Sequence, residues 1–409
     1  MEWPDFRRNS GRRLEFCLDF DRFWAIFQAE FQAPPEVLPE FGKIQYRKSD
    51  GGSPAMSKTA GSKAKKVIIT ILVILVALVA VVLIGARIYF RAPVSSYYKA
   101  SEKAFVIPGL MDNMTPQGLD YVSSVDTYLI CGYQKDGSPS RIYRVDGASG
   151  KDDGYVIMGD ENGNGIKPHA GGLASHGEYL FVAGDEDACI NVYSLNDVLS
   201  AKSGDTVKKL GSFSTKFFGD KINVAWICFA EDRMIVGEFY RDPNYMTDKS
   251  HWITTKTGEE NRAVAWAYKF SSDENSSFGI SNIPFEMYSM PGLVQGMTVK
   301  DGKIWISQSY GTAKSTIRCY DISGSKPVAF NGKIHSGVAE PDIILPIYAF
   351  DSSTQVSAFD APPMAEEIVF VNGRLLIMSE SASLKYIFGN FTGGRWCYAT
   401  DVDRLITLN

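Results

Sequence analysis

Twenty consecutive residues, Val67 to Ala86 (VIITILVILVALVAVVLIGA), carry no charge, and Thr70 is their only polar side chain. At ~1.5 Å of rise per residue, a helix of this length covers ~30 Å, the thickness of a bilayer's hydrocarbon core. A helix buried in a soluble core usually keeps a polar side over five turns, and this one has none. The stretch predicts a single membrane span. It divides the chain into a short head, residues 1–66, and a tail of over three hundred residues.

Flanking charge sets the expected orientation. Lys58, Lys63, Lys65 and Lys66 precede the span, with Arg47 and Lys48 further back; Arg87, Arg91, Lys99 and Lys103 follow it. The balance favours the N-terminal side, so the positive-inside rule puts the head in the cytoplasm and the tail outside it. A cleaved signal peptide would have a shorter apolar region ending in small residues, whereas Ile84 stands directly before Gly85 and Ala86. In the head, Phe16, Phe20, Phe23, Trp24, Phe27 and Phe31 recur at helical spacing, which suits a helix on the membrane surface. The competing expectation is that translation starts at Met56. Residues 1–55 would then not be made, and MSKTAGSKAKK plus the span would form a compact signal-anchor. Residues 87–103 are expected to form a stalk.

In the tail the strongest signal is an internal repeat. A small or polar pair leads into an apolar strand, a tight turn, a second apolar strand, and a third ending in an aromatic. The copies are QGLDYVSSVDTYLICGY with SRIYRVD, GGLASHGEYLFVAGD with CINVYSL, and AWICFAEDRMIVGEF with RAVAWAYKF. Two more follow, QGMTVKDGKIWISQSY with TIRCYDI and EEIVFVNGRLLIMSES with DRLITL. Gly118, Gly172, Trp226, Gly296 and Glu367 are equivalent positions, 54, 54, 70 and 71 residues apart. Turns such as Asp301-Gly302 and Asn372-Gly373 are hairpin chemistry, and the β-branched and aromatic strand residues fit half-buried pleated surfaces. A fourth apolar run closes the first four copies: GYVIMG, VKKLGSF, PFEMYSM and ILPIYAF. Four antiparallel strands repeated radially make a β-propeller.

The fifth copy lacks a fourth run, while FVIPGL (Phe105 to Leu110) stands alone before the first. Joining them closes a ring and removes two exposed sheet edges. The expectation is all-β: a five-bladed β-propeller over residues 104–409, tethered by the N-terminal transmembrane helix. Six blades would require a copy hidden in the 70-residue intervals. The tail resembles the broad class of non-WD β-propellers found as secreted or surface domains; no WD dipeptide, kelch or Asp-box motif ties it to one family. That resemblance implies an architecture and no particular activity.

Composition narrows the function. Apolar content of 45% and charged content of 22% allow a real core. A net charge of −5, without a basic helix or aromatic RNA motif, argues against nucleic acid as a partner. Cys131, Cys189, Cys228, Cys319 and Cys397 lie in apolar runs without C-x-x-C spacing, so they read as buried free thiols.

The loops entering each first strand and leaving each second strand share one face of such a ring. Entry positions offer Gln117, His169, Asn223, Gln295, Glu366 and Glu367; exits offer Tyr133, Asp185, Glu238, Ser309 and Glu380. Gln117, His169, Asn223 and Gln295, with Trp252 from the long insertion, are the candidate ligand-binding residues. Asp185, Glu238 and Glu380 are a candidate metal set for calcium, which takes oxygen ligands. Glu366 and Glu367 are candidate catalytic carboxylates, since paired acids can hold one raised pKa. Asp160 to Gly165 (DENGNG) matches the first half of a calcium loop but has Gly171 where its closing Glu would stand. The insertion from Phe239 to Arg262 adds Tyr240, Tyr245, His251 and Trp252 beside basic residues, a mix suited to sugar or peptide recognition.

The sequence thus predicts a ligand-binding or scaffold module outside the cytoplasm. Its candidate partners are the membrane and a carbohydrate, peptide or envelope protein. A glycosidase- or lactonase-type hydrolase using the channel-mouth carboxylates is the alternative.

Overall fold

The computed structural model describes residues 58–184, 188–217, 219–331, 345–386 and 389–408. The aromatic stripe of the head and Asp185 lie outside them. Contacts divide the chain into two units, Met1–Ile69 and Thr70–Asn409. A helix runs through Lys58–Arg91, and its large apolar side chains from Val67 to Ile84 are exposed. It is long and apolar enough to cross a membrane.

The helix does not lead into a free stalk. After a 3-10 turn at Ala92–Val94, a short helix at Ser95–Ala100 runs directly into a strand at Ser101–Val106. Val94, Tyr97 and Ala100 are buried in one cluster with Ile317, Phe359, Ile368, Tyr398 and Leu405. Within residues 87–103 the short helix is therefore packed on the β structure, and Ser101 to Lys103 begin one of its strands.

Antiparallel groups of four strands then recur. The first holds Met114–Val122, Thr127–Gln134, Arg141–Asp146 and Asp152–Gly159. The second holds Leu173–His176, Tyr179–Ala183, Cys189–Ser194 and Thr206–Ser214. The third holds Trp226–Ala230, Arg233–Gly237, Ala263–Phe270 and Ile280–Met290. Val294–Lys300, Lys303–Gln308, Ser315–Tyr320 and Gln355–Ala361 form the fourth. The fifth takes Ala365–Val371, Arg374–Ser379 and Trp396–Thr400 from the C-terminal end, and its outer strand is Ser101–Val106. The hairpin turns match their chemistry: Asp301 and Gly302 have φ of 53° and 70°, Asn372 and Gly373 of 50° and 78°.

First strands of consecutive groups touch one another, and that of the fifth touches that of the first. Each buried apolar cluster accordingly lies between two groups. One joins Leu129 and Ile142 to Leu173 and Tyr193, for example, and another joins Met378 and Cys397 of the fifth group to Met114 and Ile130 of the first. Close approach of first strands explains the recurrent glycine. A Cβ on Gly118 would come within 2.6 Å of the Leu173 nitrogen, and one on Gly172 within 2.7 Å of the Trp226 Cα. Trp226 breaks the pattern because its pairing partner across the hairpin is Gly237, where a Cβ would stand 1.9 Å from the indole.

Three sequence assignments shift by one element. The run containing ILPIYAF does not close the fourth group: Leu345–Ala349 pairs in parallel with the outer strand of the third. The fourth group is closed by Gln355–Ala361, a half-exposed strand whose alternating burial leaves no apolar run to notice. DRLITL is not a strand but most of a helix, Val402–Leu408. Asp401 caps it by accepting the Arg404 N–H at 3.0 Å, and Val402 and Leu405 are buried one turn apart. The ring-closing strand is Ser101–Val106, five residues of which pair with Trp396–Thr400; FVIPGL contributes only its start before turning at Gly109.

Candidate functional site

The first strands enter through irregularities that present polar side chains. Pro116 pairs with Gly132 and Gly118 with Cys131, so Gln117 is an extra, unpaired residue; Gln295 stands alone in the same way between Val294 and Gly296. In the fifth group the step from Ala365 to Ile368 skips Glu366 and Glu367. Such β-bulges re-aim a side chain out of the ladder. They bring Gln117, Gln295 and Glu366 into one open cavity of about 850 Å³, with His169 and Asn223 from the other entries. The second-strand exits add Tyr133, Glu238, Ser309 and Glu380.

A continuous polar row crosses this cavity. The Gln117 side-chain amide donates to Glu380 Oε2 at 3.0 Å and to the Pro116 carbonyl at 2.8 Å. Its Oε1 is left to accept from His169 Nε2 at 2.9 Å, which fixes the proton of that ring on Nε2. The His169 ring stacks on Tyr133 at 4.6 Å between centroids. Lys385 donates to the Tyr133 hydroxyl, and Gln295 reaches Glu366 Oε1 at 3.5 Å. Burial pushes the Glu366 carboxyl well above its ordinary range, and the neighbouring charges of Glu380 and Glu367 add to this. Glu380 is pushed up to about 6 by burial, against the pull of Lys385, Tyr386 and Gln117. Burial thus disfavours the charged form of both acids.

A second carboxylate cluster lines the same cavity. His251, from the long insertion, is buried between Glu238 and Asp220, with Nδ1 3.0 Å from Glu238 Oε2 and Nε2 3.0 Å from Asp220 Oδ1. Burial alone would push this imidazole down. Hydrogen bonds to Asp220 and Glu238, with their charges, outweigh it and raise the ring to about 10. The Val264 N–H also donates to Glu238 at 3.2 Å.

Other sequence candidates are placed elsewhere. Glu367 does not line the cavity: its Oε1 accepts the Met297 N–H at 3.1 Å, and a Cβ on Gly296 would stand 2.5 Å from it. Its carboxyl fills the space that glycine leaves between first strands. Trp252 is also off the cavity lining; it donates to Thr247 Oγ1 at 3.0 Å and lies under Arg262. Glu238 and Glu380 are engaged with different partners, and Asp185 is outside the described residues. Among the described residues no cluster of three or more His, Cys, Asp or Glu has a metal-binding arrangement. In DENGNG, Asp160 turns its oxygens onto the Asn162 and Asn164 amides of its own loop.

The sequence reading missed Lys385, Tyr386 and Asp220. Their only local signal was a cationic and an aromatic residue five and six positions after Glu380, in the loop leaving a second strand.

Repeated four-stranded groups whose first strands surround a polar cavity define a β-propeller-type protein. No protein-family model matches the chain, and no curated protein does. Solved structures similar to it include the PQQ-bound aldose sugar dehydrogenase of Streptomyces coelicolor, at 15% identity and a TM-score of 0.36, over 68% of this chain and 76% of that one. Glutaminyl cyclase of Myxococcus xanthus is similar at 10% identity and a TM-score of 0.37, over 73% and 94%. BamB of Moraxella catarrhalis is similar at 10% identity and a TM-score of 0.27, over 66% and 83%. These similarities assign no activity.

Proposed function

We propose that this chain is a five-bladed β-propeller carried outside the cytoplasm on a single membrane span, and that it binds a small polar ligand in its axial cavity. The observation that carries the reading is the row from His169 through Gln117 to Glu380, with Glu366 and Gln295 beside it. These residues come from distant parts of the chain, and three of them occupy β-bulges that serve no pairing. A cavity of about 850 Å³ falls in the ~300–1,000 Å³ range of ligand pockets. The apolar helix and the lysines before it support the anchor and its orientation.

The topology is tested by single cysteines at Lys58 and Lys303 in a variant lacking native thiols. In intact cells a membrane-impermeant maleimide should label the second and not the first; the reverse pattern sinks the orientation. Binding is tested by soaking the full chain in cell extract, washing, and identifying small molecules released on denaturation. A molecule retained by the wild type and lost in Gln117→Leu supports the site.

The paired acids favour a second reading, a hydrolase. Two buried, interacting carboxyls, both pushed above their ordinary range, suit the acid–base chemistry that glycosides or lactones need. Turnover that disappears in both Glu366→Gln and Glu380→Gln, with folding intact, would establish it over simple binding.

A further inference from the structure

We infer that the ligand of the axial cavity is a neutral carbohydrate, recognised by aromatic faces on the cavity wall and by the amide and carboxyl row across it. This rests on the cavity being a ligand site.

Most charges of the cavity are answered within the protein. His251 sits between Asp220 and Glu238, Lys385 pulls the Glu380 carboxyl down, and Lys221 and Asp248 add one charge of each sign to the lining. Burial favours the neutral form of Glu366. The carboxylates left in excess disfavour an anion, and a cation would compete with His251 and Lys385 for them. Beside its charges the lining offers side-chain groups that both donate and accept: Asn223, Gln295 and Ser309. Vicinal hydroxyls need this mixture, because each is at once donor and acceptor.

Aromatic rings supply the other half. Tyr133, stacked on His169, comes from the first group. Phe239 and Tyr245 come from the insertion in the third, and Tyr310 from the exit of the fourth. Phe239 stacks on Tyr310 at 6.5 Å and meets Tyr245 edge-on at 5.3 Å. Tyr245 and Tyr310 remain 53% and 40% exposed, unusually open for residues that size. Arg241 lies 3.8 Å from the Tyr310 ring centroid and holds that ring in place. Rings presented to a polar cavity suit the C–H faces of a pyranose, whose hydroxyl rim then meets the amide and carboxyl row.

The test is calorimetry on the full chain in lipid nanodiscs, with three sets of probes. Neutral sugars are represented by glucose, mannose, N-acetylglucosamine, maltose, cellobiose and chitobiose, with a glycan array for longer chains. Choline and spermidine represent cations, and citrate and glutamate anions. The expected result is saturable binding of at least one neutral sugar. Tyr310→Leu should weaken it roughly three- to tenfold, and Gln295→Leu should weaken it as well. Tyr310 keeps 40% of its surface exposed, so its variant should keep the fold, as a thermal melt checks. Binding of a cation or anion in the cavity, with every sugar silent, overturns the carbohydrate assignment and leaves the cavity as a ligand site. Sugar binding that both variants leave unchanged places the sugar elsewhere and also overturns it. Silence of all probes, with nothing retained from extract by the wild type, removes both readings.

Discussion

Glu238 and Glu380 occupy equivalent places, each leaving the second strand of its group and each lining the same cavity, and burial pushes both carboxyls up, yet their partners differ. Glu238 faces an imidazole raised to about 10, which also binds Asp220, and receives the Val264 N–H. Glu380 faces another carboxyl, with Lys385, Tyr386 and Gln117 only partly offsetting its burial. A carboxylate locked to a buried cation fixes the long insertion onto the wall. A carboxylate held against its twin is an unfavourable arrangement that folding alone does not require, and such arrangements collect at functional sites. Repeat position sets where a side chain points, and the neighbours recruited from other groups set what it does there.

The sharpest way to break this contrast is to remove His251. His251→Ala would leave Asp220 and Glu238 buried without their cation, which costs about 3–5 kcal/mol for a buried pair stripped of one partner. Chemical denaturation at pH 7 measures it, and a loss under about 0.5 kcal/mol would demote the lock to a surface contact. The pH dependence has a definite sign. The folded value of His251 lies above its ordinary 6.5, so its stabilisation is complete below about 6.5 and fades as pH rises toward about 10. That fading should be missing in the variant.

A smaller effect, of opposite sign, is expected from Glu380→Gln. Its folded value of about 6 lies above the ordinary 4.5, so wild-type stability is highest below about 4.5 and falls as pH rises to about 6. At about 1.4 kcal/mol per unit, ionising this buried acid costs about 2 kcal/mol at pH 7. Glutamine keeps an oxygen to accept from Gln117 and cannot ionise. The variant should match wild type at pH 4.5 and exceed it by about 2 kcal/mol at pH 7. A variant less stable at pH 7 would mean that the neighbours of Glu380 offset its burial in full, and the contrast with Glu238 and its bound imidazole would collapse.

The sequence made the entry residues readable and left their partners hidden, for a physical reason. Gln117, Gln295 and Glu366 sit at fixed offsets from a hairpin whose turn and alternation are local, so their shared direction follows from the repeat. The first three strands of the first four groups were equally legible, because each buries a regular apolar set. Outer strands were not. Gln355–Ala361 is half-exposed and lacks the apolar run that Ile344 to Phe350 shows in the sequence, and Leu345–Ala349 pairs instead with a neighbouring group. His251 joins Glu238 through an insertion with no repeat to register it, and Lys385 reaches Tyr133 across 252 positions. The Lys385–Tyr133 contact follows from ring closure, because it joins the fifth group to the first.

The mildest prediction separates tuning from locking. Gln117 spends its amide on Glu380 and Pro116 and its oxygen on His169, so it links the Glu380 carboxylate to the aromatic wall. Gln117→Leu deletes a hydrogen bond to the charged form of Glu380 and leaves its burial unchanged. The Glu380 titration should therefore move further above 6, since the lost bond favoured ionisation. The decline in stability that wild type completes near pH 6 should extend to higher pH. At pH 7 the net loss should be only about 1 kcal/mol, the ordinary worth of a buried hydrogen bond. The separate decline between pH 6.5 and 10 belongs to His251, which makes no contact with Gln117, and should keep its midpoint. Melts at half-unit pH steps on wild type, Gln117→Leu and His251→Ala resolve the two windows. If Gln117→Leu displaces both, the two carboxylate clusters titrate as one system, and the division of labour drawn between Glu238 and Glu380 is wrong.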